Sequence, residues 1–357
     1  MRLLLGLDFA GSRATYQRLG QYLCGDASEF LTGQILRPNP RGKRIMTTGA
    51  RKVAVIGAGN VGATCAFVLA ERNVGEIVLL DIFEGFAKGK ALDMSQGGRI
   101  LNYDGRVTGT KDYSDIEGSD VVVVTSGFPR QPGMTREDLI GKNAEIISQV
   151  GEGIRDHAPE AVIIMVTNPL DLMTYHMQRI TGFPHHRVIG QAGILDCARM
   201  THFIAQALGC SNEDVQAMVL GGHGDTMVPL PRYTTVNGIP ITRLLDVKAI
   251  EAICDRTAGG GGEIVKLLER GSAFYAPGSA AAIMAQSVLD DRRRVLPCSA
   301  FLSGEYGMDD IYIGVPIVLG RNGVERIIEL ELEDSELASL QKSGSFYKEQ
   351  LSSILGY

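Results

Sequence analysis

Two arginines in a short loop are the first chemical indication in this sequence. Arg130 and Arg136 are six residues apart and bracket a segment that contains Pro132 and Gly133. A guanidinium is planar, stays charged at any working pH and pairs with a carboxylate through two hydrogen bonds. Two guanidiniums on one loop are suited to a small anion with more than one negative group. A solvated basic turn would give the same local pattern, so the other motifs must decide between the two readings.

A candidate acid–base group lies in the second half of the chain. Asp196 and Arg199 are three residues apart in a segment of helical composition, residues 192–209, so they share one face of the predicted helix. His223 is flanked by glycines and follows an apolar run, residues 215–220, that predicts one strand. An imidazole in such a loop is accessible and titrates near neutral pH. Of the six histidines, His223 is therefore the predicted proton-transfer group, and the other five are expected to be packed or solvated.

A glycine-rich turn at residues 57–62 has the spacing of a dinucleotide-binding motif. It follows an apolar run, residues 52–56, that predicts a buried strand, and it precedes a segment of helical composition. In this motif Gly57 makes the tight turn, Gly59 lets a pyrophosphate approach the backbone, and Gly62 lets the helix pack against the strand. Phosphates then lie at the helix N-terminus, where free N–H groups and the helix dipole favour negative charge.

An acidic residue after the next predicted strand indicates which coenzyme binds. Asp81 follows the apolar run at residues 76–80 and is nineteen residues beyond Gly62. A carboxylate at this place accepts hydrogen bonds from the adenosine ribose hydroxyls and repels a 2′-phosphate. The predicted coenzyme is therefore NAD.

Strands alternate with helices through the first part of the chain. Further strands are predicted at residues 120–125 and 161–167, with a long amphipathic helix at 136–157 between them. This order predicts an α/β fold with a doubly wound parallel (Rossmann) sheet that binds its ligands at the carboxyl ends of the strands. The arginine loop and Asn168 both follow such ends.

The remainder predicts a second, mixed α+β substrate domain. The dipeptides Asn237-Gly238 and Asn322-Gly323 predict β-hairpins. Helices are expected at residues 250–270, 280–290 and 335–355. The predicted domains are an NAD-binding domain at residues 51–190 and a substrate domain at residues 191–357, after an extension at residues 1–50.

Composition excludes several classes of protein. A formal net charge of −6 and a pI near 5.6 argue against a nucleic-acid or anionic-membrane surface. The six cysteines form no CxxC pair and have no Cys/His ligand spacing, which favours reduced thiols in a cytoplasmic protein without a metal site. No apolar run approaches the roughly 20 residues of a membrane span.

Residues 1–50 differ from the rest of the chain. They contain seven Lys and Arg against three Asp and Glu, and Pro38-Asn39-Pro40 is typical of a linker. A secretory signal is not indicated, because the apolar run Leu3–Leu7 is short and is followed by Asp8. The arginines leave a mitochondrial transit peptide open, although the acidic residues count against it. The simplest hypothesis is that Met46 is the natural start.

Taken together, these motifs resemble the lactate/malate dehydrogenases over residues 51–356, and specifically the malate dehydrogenases of that family. The resemblance is carried by a set of motifs that occur in the family's order: Gly57-Ala58-Gly59-Asn60-Val61-Gly62, Asp81-Ile82, Arg130 to Arg136, Thr167-Asn168-Pro169, Leu195-Asp196-Cys197-Ala198-Arg199 and Gly222-His223-Gly224-Asp225. It implies reversible hydride transfer between (S)-malate and NAD⁺, a small dicarboxylate as substrate, and a homodimer or homotetramer.

The resemblance also implies roles for individual residues. His223 would exchange a proton with the substrate oxygen while Asp196 orients and charges the imidazole. Arg199 would pair with the C1 carboxylate, Arg136 would polarise the carbonyl, and Asn168 would bind the same region. Ser272 would place a hydroxyl beside the nicotinamide. With Arg199 and Arg136 so assigned, Arg130 is the side chain left for the second carboxylate, and residues 125–133 are expected to form a mobile loop that closes to exclude water. The coenzyme contacts it implies are Gly57, Ala58, Gly59, Asn60, Val61, Gly62, Asp81, Thr125, Asn143, Val166 and Asn168.

Alternative functions remain to be separated by further evidence. Lactate dehydrogenases carry an uncharged residue at the position of Arg130, and an NAD-dependent glycoside hydrolase needs a metal held by Cys and His. A non-catalytic NAD-binding protein would be expected to have lost at least one of four residues, namely His223, Asp196, Arg136 and Arg199, and all four are present. Gln131 and Gln191 depart from the expected pattern, which affects only substrate preference and coenzyme-site packing.

Overall fold

The computed structural model describes residues 51–128 and 135–357. The N-terminal extension and residues 129–134 of the arginine loop, including Arg130 and Gln131, lie outside the described residues. In chain order the first half contains β1 (Lys52–Ile56), α1 (Asn60–Glu71), β2 (Glu76–Leu80), α2 (Glu84–Leu101), β3 (Arg106–Thr110), β4 (Val121–Val124), α3 (Arg136–His157), β5 (Val162–Met165), α4 (Leu170–Thr181) and β6 (Val188–Gly190).

The first half builds the predicted parallel sheet, with helices around it. Its strand order is β3-β2-β1-β4-β5-β6, and every neighbouring pair in this order is parallel. The central strands are continuous apolar runs because both faces of a sheet of this kind are covered. All four valines of β4 are fully buried. The Rossmann fold expected from the sequence is thus confirmed.

The second half extends the same sheet with antiparallel strands. Its elements are α5 (Gly193–Leu208), β7 (Val215–Gln216), β8 (Val219–Gly221), β9 (Met227–Pro229), β10 (Thr235–Val236), β11 (Ile239–Pro240), α6 (Val247–Leu268), α7 (Tyr275–Leu289), β12 (Arg294–Ser303), β13 (Asp309–Gly320), β14 (Gly323–Ile327) and α8 (Asp334–Gln350). β12 joins β6 through the pair Ser299 and Gly190, and β13, β8 and β9 follow in order. One sheet of 11 strands therefore runs through the described chain.

One strand prediction is wrong. The apolar run at residues 215–220 forms two strands in different sheets, because β7 pairs with β10 in a three-stranded sheet and β8 pairs with β9 and β13. At the break, the N–H of Met218 donates to Oγ1 of the buried Thr234 at 3.2 Å. A change of pairing partner leaves no mark on the apolar pattern, so the sequence could not show it.

Both predicted hairpins are present. Asn237 and Gly238 have positive φ angles of 49° and 84° and connect β10 to β11, as the primed turn of a tight hairpin requires. The second hairpin joins β13 to β14, with Gly320 paired to Gly323.

The three predicted helices of this half are present with shifted bounds. α7 begins five residues earlier than expected, because Pro277 and Gly278 lie in its first turn, where proline needs no N–H partner. Among the described residues, no helix combines the length and apolar character that a bilayer span needs.

Candidate active site

The glycine turn after β1 leaves room at the N-terminus of α1. Gly57 has φ +103°, and a Cβ at Gly62 would overlap the carbonyl oxygen of Gly57, so a side chain is excluded at both positions. Gly59 caps α1, and a Cβ there would meet open space. Beside the turn, the buried Oγ of Ser126 has no hydrogen-bond partner among the described residues. Open space, free helix N–H groups and an unpaired hydroxyl fit a bound pyrophosphate.

Asp81 is fixed directly beyond β2. One carboxylate oxygen accepts from the N–H of Ala58 at 2.7 Å, and the other accepts from the N–H of Phe83 at 3.0 Å. These bonds tie the carboxylate to the glycine turn. Because a carboxylate has about four acceptor positions, the partly exposed group can still accept bonds from ribose hydroxyls.

Two further predicted coenzyme residues brace the loops around this turn. The hydroxyl of Thr125, which follows β4, donates to the carbonyl of Gly57 at 3.0 Å. Asn143 on α3 is 2% exposed, accepts from the N–H of Phe128 at 2.6 Å and donates to the carbonyl of Asn168 at 2.7 Å. The amide of Asn143 therefore connects the start of the arginine loop to the loop that follows β5.

The predicted histidine and aspartate are in contact. Nδ1 of His223, in the loop after β8, lies 2.9 Å from a carboxylate oxygen of Asp196 on α5. Their side chains are 14% and 2% exposed. With Nδ1 donating to the carboxylate, Nε2 is the nitrogen that can exchange a proton with a ligand.

Burial and charge act in opposite directions on this histidine. Burial lowers the pKa of His223, but the charge of Asp196 and its hydrogen bond to Nδ1 outweigh burial and hold the pKa above the ordinary value. Arg199 lowers the pKa of His223 and the carboxylate of Asp171 raises it by smaller amounts. The site therefore favours the imidazolium, the form that can donate a proton to a substrate oxygen.

Arg199 completes this group of charges from one turn further along α5. Its Nη1 donates to the other oxygen of Asp196 at 3.2 Å, as their three-residue spacing predicts. Its Nε is buried and has no partner among the described residues. Gly260 and Gly261 of α6 lie against it, and a Cβ on Gly260 would be 3.2 Å from Cδ of Arg199. An unpaired buried guanidinium N–H is a ready donor for an anionic ligand.

Sequence reasoning missed residues that hold the histidine loop. Asp171 on α4 is 1% exposed and accepts from the backbone N–H of His223 at 2.9 Å and from the hydroxyl of Ser299 at 2.7 Å. The hydroxyl of Tyr347 on α8 donates to the carbonyl of His223 at 3.3 Å. An acidic residue in a first helical turn is ordinarily explained by the helix dipole, so the only signal for Asp171 was its position three residues after Asn168.

Other predicted site residues are placed less fully. Asn168 is exposed after β5, with Val166 just before it, and Ser272 is exposed between α6 and α7. No hydrogen bond between described residues joins Ser272 to His223. Arg136 is the first residue of α3, after the N-cap residue Thr135.

The departure at Gln191 has a structural explanation. Its amide, which is 3% exposed, donates to the carbonyl of Pro277 and so links the end of β6 to α7. In the described part of the chain, no group of three or more His, Cys, Asp or Glu residues is arranged to hold a metal ion.

Comparisons with known proteins cover nearly all of the described chain. Residues 51–190 match the NAD-binding domain model of the lactate/malate dehydrogenases, and residues 194–355 match the alpha/beta C-terminal domain model. Malate dehydrogenase of Roseiflexus sp. (strain RS-1) is 53% identical over 303 residues, which cover 85% of this chain and 98% of that protein.

Solved structures give a similar picture. Malate dehydrogenase from Salinibacter ruber is 51% identical with a TM-score of 0.81, and the match covers 84% of this chain and 96% of that chain. Lactate dehydrogenase from Cryptosporidium parvum, in complex with lactic acid and the cofactor, is 41% identical with a TM-score of 0.83, and the match covers 87% and 99%.

Proposed function

The chain belongs to the lactate/malate dehydrogenase family, and we propose that it catalyses the reversible NAD-dependent oxidation of (S)-malate to oxaloacetate. It is an oxidoreductase that acts on a CH–OH donor. The observation that carries the mechanism is the buried pair of His223 and Asp196 with Arg199 beside it. We assign residues 51–190 to the NAD-binding domain and residues 191–357 to the substrate domain, in line with the two family matches.

The residues at the proposed coenzyme site fit NAD and would hold it. The turn at residues 57–62 would receive the pyrophosphate at the N-terminus of α1, and Asp81 would accept bonds from the ribose hydroxyls. Thr125, Asn143, Val166 and Asn168 line or brace the loops beyond. When bound, NAD supplies the hydride acceptor for malate oxidation and the hydride donor for oxaloacetate reduction.

His223 carries the proton. In malate oxidation, Nε2 takes the proton of the C2 hydroxyl as the general base, and in the reverse direction the imidazolium returns it to the carbonyl oxygen. Asp196 stabilises the imidazolium, and in the neutral ring it fixes the tautomer in which Nδ1 carries the proton and Nε2 can accept one. The raised pKa of His223 favours the imidazolium, which donates the proton in oxaloacetate reduction.

The arginines account for the negative charges of the substrate. The free Nε of Arg199 is assigned to the C1 carboxylate, with Asn168 at the same region of the substrate. Arg136 is assigned to the carbonyl oxygen, where it would stabilise charge that develops during reduction. Ser272 is assigned a place beside the nicotinamide. The assignments of Arg136, Asn168 and Ser272 rest on the sequence motif, and Arg130, outside the described residues, is assigned to the second carboxylate on the same ground.

The substrate is tested by comparing three 2-oxo acids. Purified protein with NADH should reduce oxaloacetate with a higher kcat/KM than pyruvate or 2-oxoglutarate. Because loss of one partner of a desolvated ion pair costs roughly 3–5 kcal/mol, Arg130→Gln should lower kcat/KM for oxaloacetate by about two to four orders of magnitude. The kcat/KM for pyruvate should rise, because pyruvate has no second carboxylate and would otherwise leave the guanidinium of Arg130 unpaired. A wild-type preference for pyruvate would make the protein a lactate dehydrogenase instead.

We also propose that the protein is a homo-oligomer. α2 and the residue before it expose several large apolar side chains, namely Phe83 (70%), Phe86 (48%), Leu92 (59%), Ile100 (79%) and Leu101 (48%). Exposed apolar patches of this kind mark interaction surfaces, and a second copy is the commonest partner. Sedimentation should give a dimer or tetramer, and Leu92→Lys with Ile100→Lys should shift it toward the monomer. A monomeric wild type would contradict the proposal.

The cytoplasm is the proposed compartment. The structure describes five cysteines, and all five are free thiols. Free buried thiols are typical of a reducing environment. Fractionation of the native cells should place the activity in the cytoplasm, and recovery in another compartment would contradict this assignment.

A further inference from the structure

We propose that Asp171 is a positioning residue for the catalytic histidine, acting on the backbone of the His223 loop and anchored in turn by Ser299. The inference rests on the function proposed above. Asp171 lies in the first turn of α4, three residues after Asn168, so one helix N-terminus connects the loop after β5 with the loop after β8.

The contacts of Asp171 leave it no other evident task. Its two carboxylate oxygens accept from the N–H of His223 at 2.9 Å and from the hydroxyl of Ser299 at 2.7 Å. The residue is 1% exposed and Ser299 is fully buried. Burial of a carboxylate is unfavourable unless hydrogen bonds satisfy it, and here both oxygens are satisfied. We infer that the carboxylate fixes the backbone of His223, whose ring must contact both Asp196 and the substrate.

The backbone around His223 has unusual conformational freedom. Gly221 and Gly224, on either side of His223, have positive φ angles of 83° and 123°. A glycine-flanked residue can move its ring by a small backbone rotation. Two further bonds reach the loop from α8: Ser343 accepts from the N–H of Gly222 at 3.0 Å, and Tyr347 donates to the carbonyl of His223. Asp171 therefore accepts from the backbone N–H of the catalytic residue itself, His223.

Two substitutions of similar size separate positioning from packing. In Asp171→Asn the amide oxygen still accepts from the N–H of His223, and the amide nitrogen can donate to Ser299. In Asp171→Leu the side chain fills the same space without an acceptor. Thr174→Ala is the matched control, since Thr174 is buried one turn along α4 and its hydroxyl, among the described residues, donates within the helix to the carbonyl of Leu170.

Kinetics and hydrogen exchange are measured together. A misplacement of about 1 Å can cost ~100-fold in rate, so Asp171→Leu should lower kcat by about 10- to 100-fold with the Kd for NADH unchanged. Asp171→Asn should stay within about threefold of wild type, and Thr174→Ala should lower only the Tm. The backbone amide of His223 should exchange slowly in wild type and Asp171→Asn and at least tenfold faster in Asp171→Leu.

The outcomes that overturn the inference are distinct. If Asp171→Leu keeps the kcat and the slow amide exchange of the control, Asp171 has no positioning role. If Asp171→Leu does not fold, Ser299→Ala decides: a kcat lowered about threefold with faster exchange at His223 supports the anchor, and wild-type values for both overturn it. If the wild type reduces no 2-oxo acid, the proposed function fails, while the exchange pattern still decides the role of Asp171.

Discussion

Replacement of Asp196 by asparagine isolates the charge that supports the catalytic histidine. The substitution keeps the size of the side chain but removes the negative group that lies 2.9 Å from Nδ1 of His223. Asp196 is 2% exposed, so water cannot substitute for it. Asp196 also accepts from Nη1 of Arg199, which would lose its charged acceptor in this variant.

The expected loss follows from the burial of the pair. Breaking a buried ion pair by removing one partner costs roughly 3–5 kcal/mol, and each ~1.4 kcal/mol is a tenfold change in rate. Asp196→Asn should therefore lower kcat/KM for oxaloacetate by about two to four orders of magnitude at neutral pH. The Kd for NADH should not change, because the proposed coenzyme residues lie in the loops after β1, β2, β4 and β5 and on α1 and α3, whereas Asp196 lies on α5.

The pH profile gives the sign. Oxaloacetate reduction needs the imidazolium, so kcat/KM falls as the pH rises through the pKa of His223 in the free enzyme. Burial lowers this pKa and Asp196 raises it. Without the charge burial prevails, and the falling limb should move to lower pH. A variant with kcat/KM within tenfold of wild type and an unmoved limb would refute the assigned role of Asp196.

Three further predictions concern the coenzyme, the N-terminal extension and helix α6. Asp81→Ser should weaken NADH use and narrow the gap to NADPH in kcat/KM, because the carboxylate that excludes a 2′-phosphate is lost; equal use of both coenzymes by wild type would contradict this. Protein that starts at Met46 should keep the Tm and kcat of the full chain, since residues 50–357 form one compact unit; loss of either would show that the extension contributes. Gly262→Ala in α6 should raise the free energy of unfolding by about 0.5–1 kcal/mol, because a Cβ there meets open space. Gly260→Ala, its matched control, should instead raise KM for oxaloacetate, because its Cβ presses on Arg199; similar effects of the two in urea denaturation and kinetics would refute the distinction.

Local patterns in the sequence determined the fold class and most of the elements. The turn at residues 57–62 was predictable because strand, glycines and helix occur together in a single stretch of chain. The same holds for α3, whose predicted and observed bounds agree, and for the spacing that puts Asp196 and Arg199 on one face of α5. The family prediction, made from motifs in a fixed order, is confirmed by the two family models that match residues 51–190 and 194–355.

Tertiary structure alone decided which distant groups meet. His223 contacts Asp196, which lies 27 positions away in the sequence. Asp171 contacts Ser299, which lies 128 positions away. The division of residues 215–220 between two sheets likewise depends on which strands lie alongside. Periodicity and propensity report how a segment meets water or its own helix, whereas pairing across the sheet depends on the whole chain. Burial made Asp171 informative, and burial is a property of the folded chain that no local pattern of residues contains.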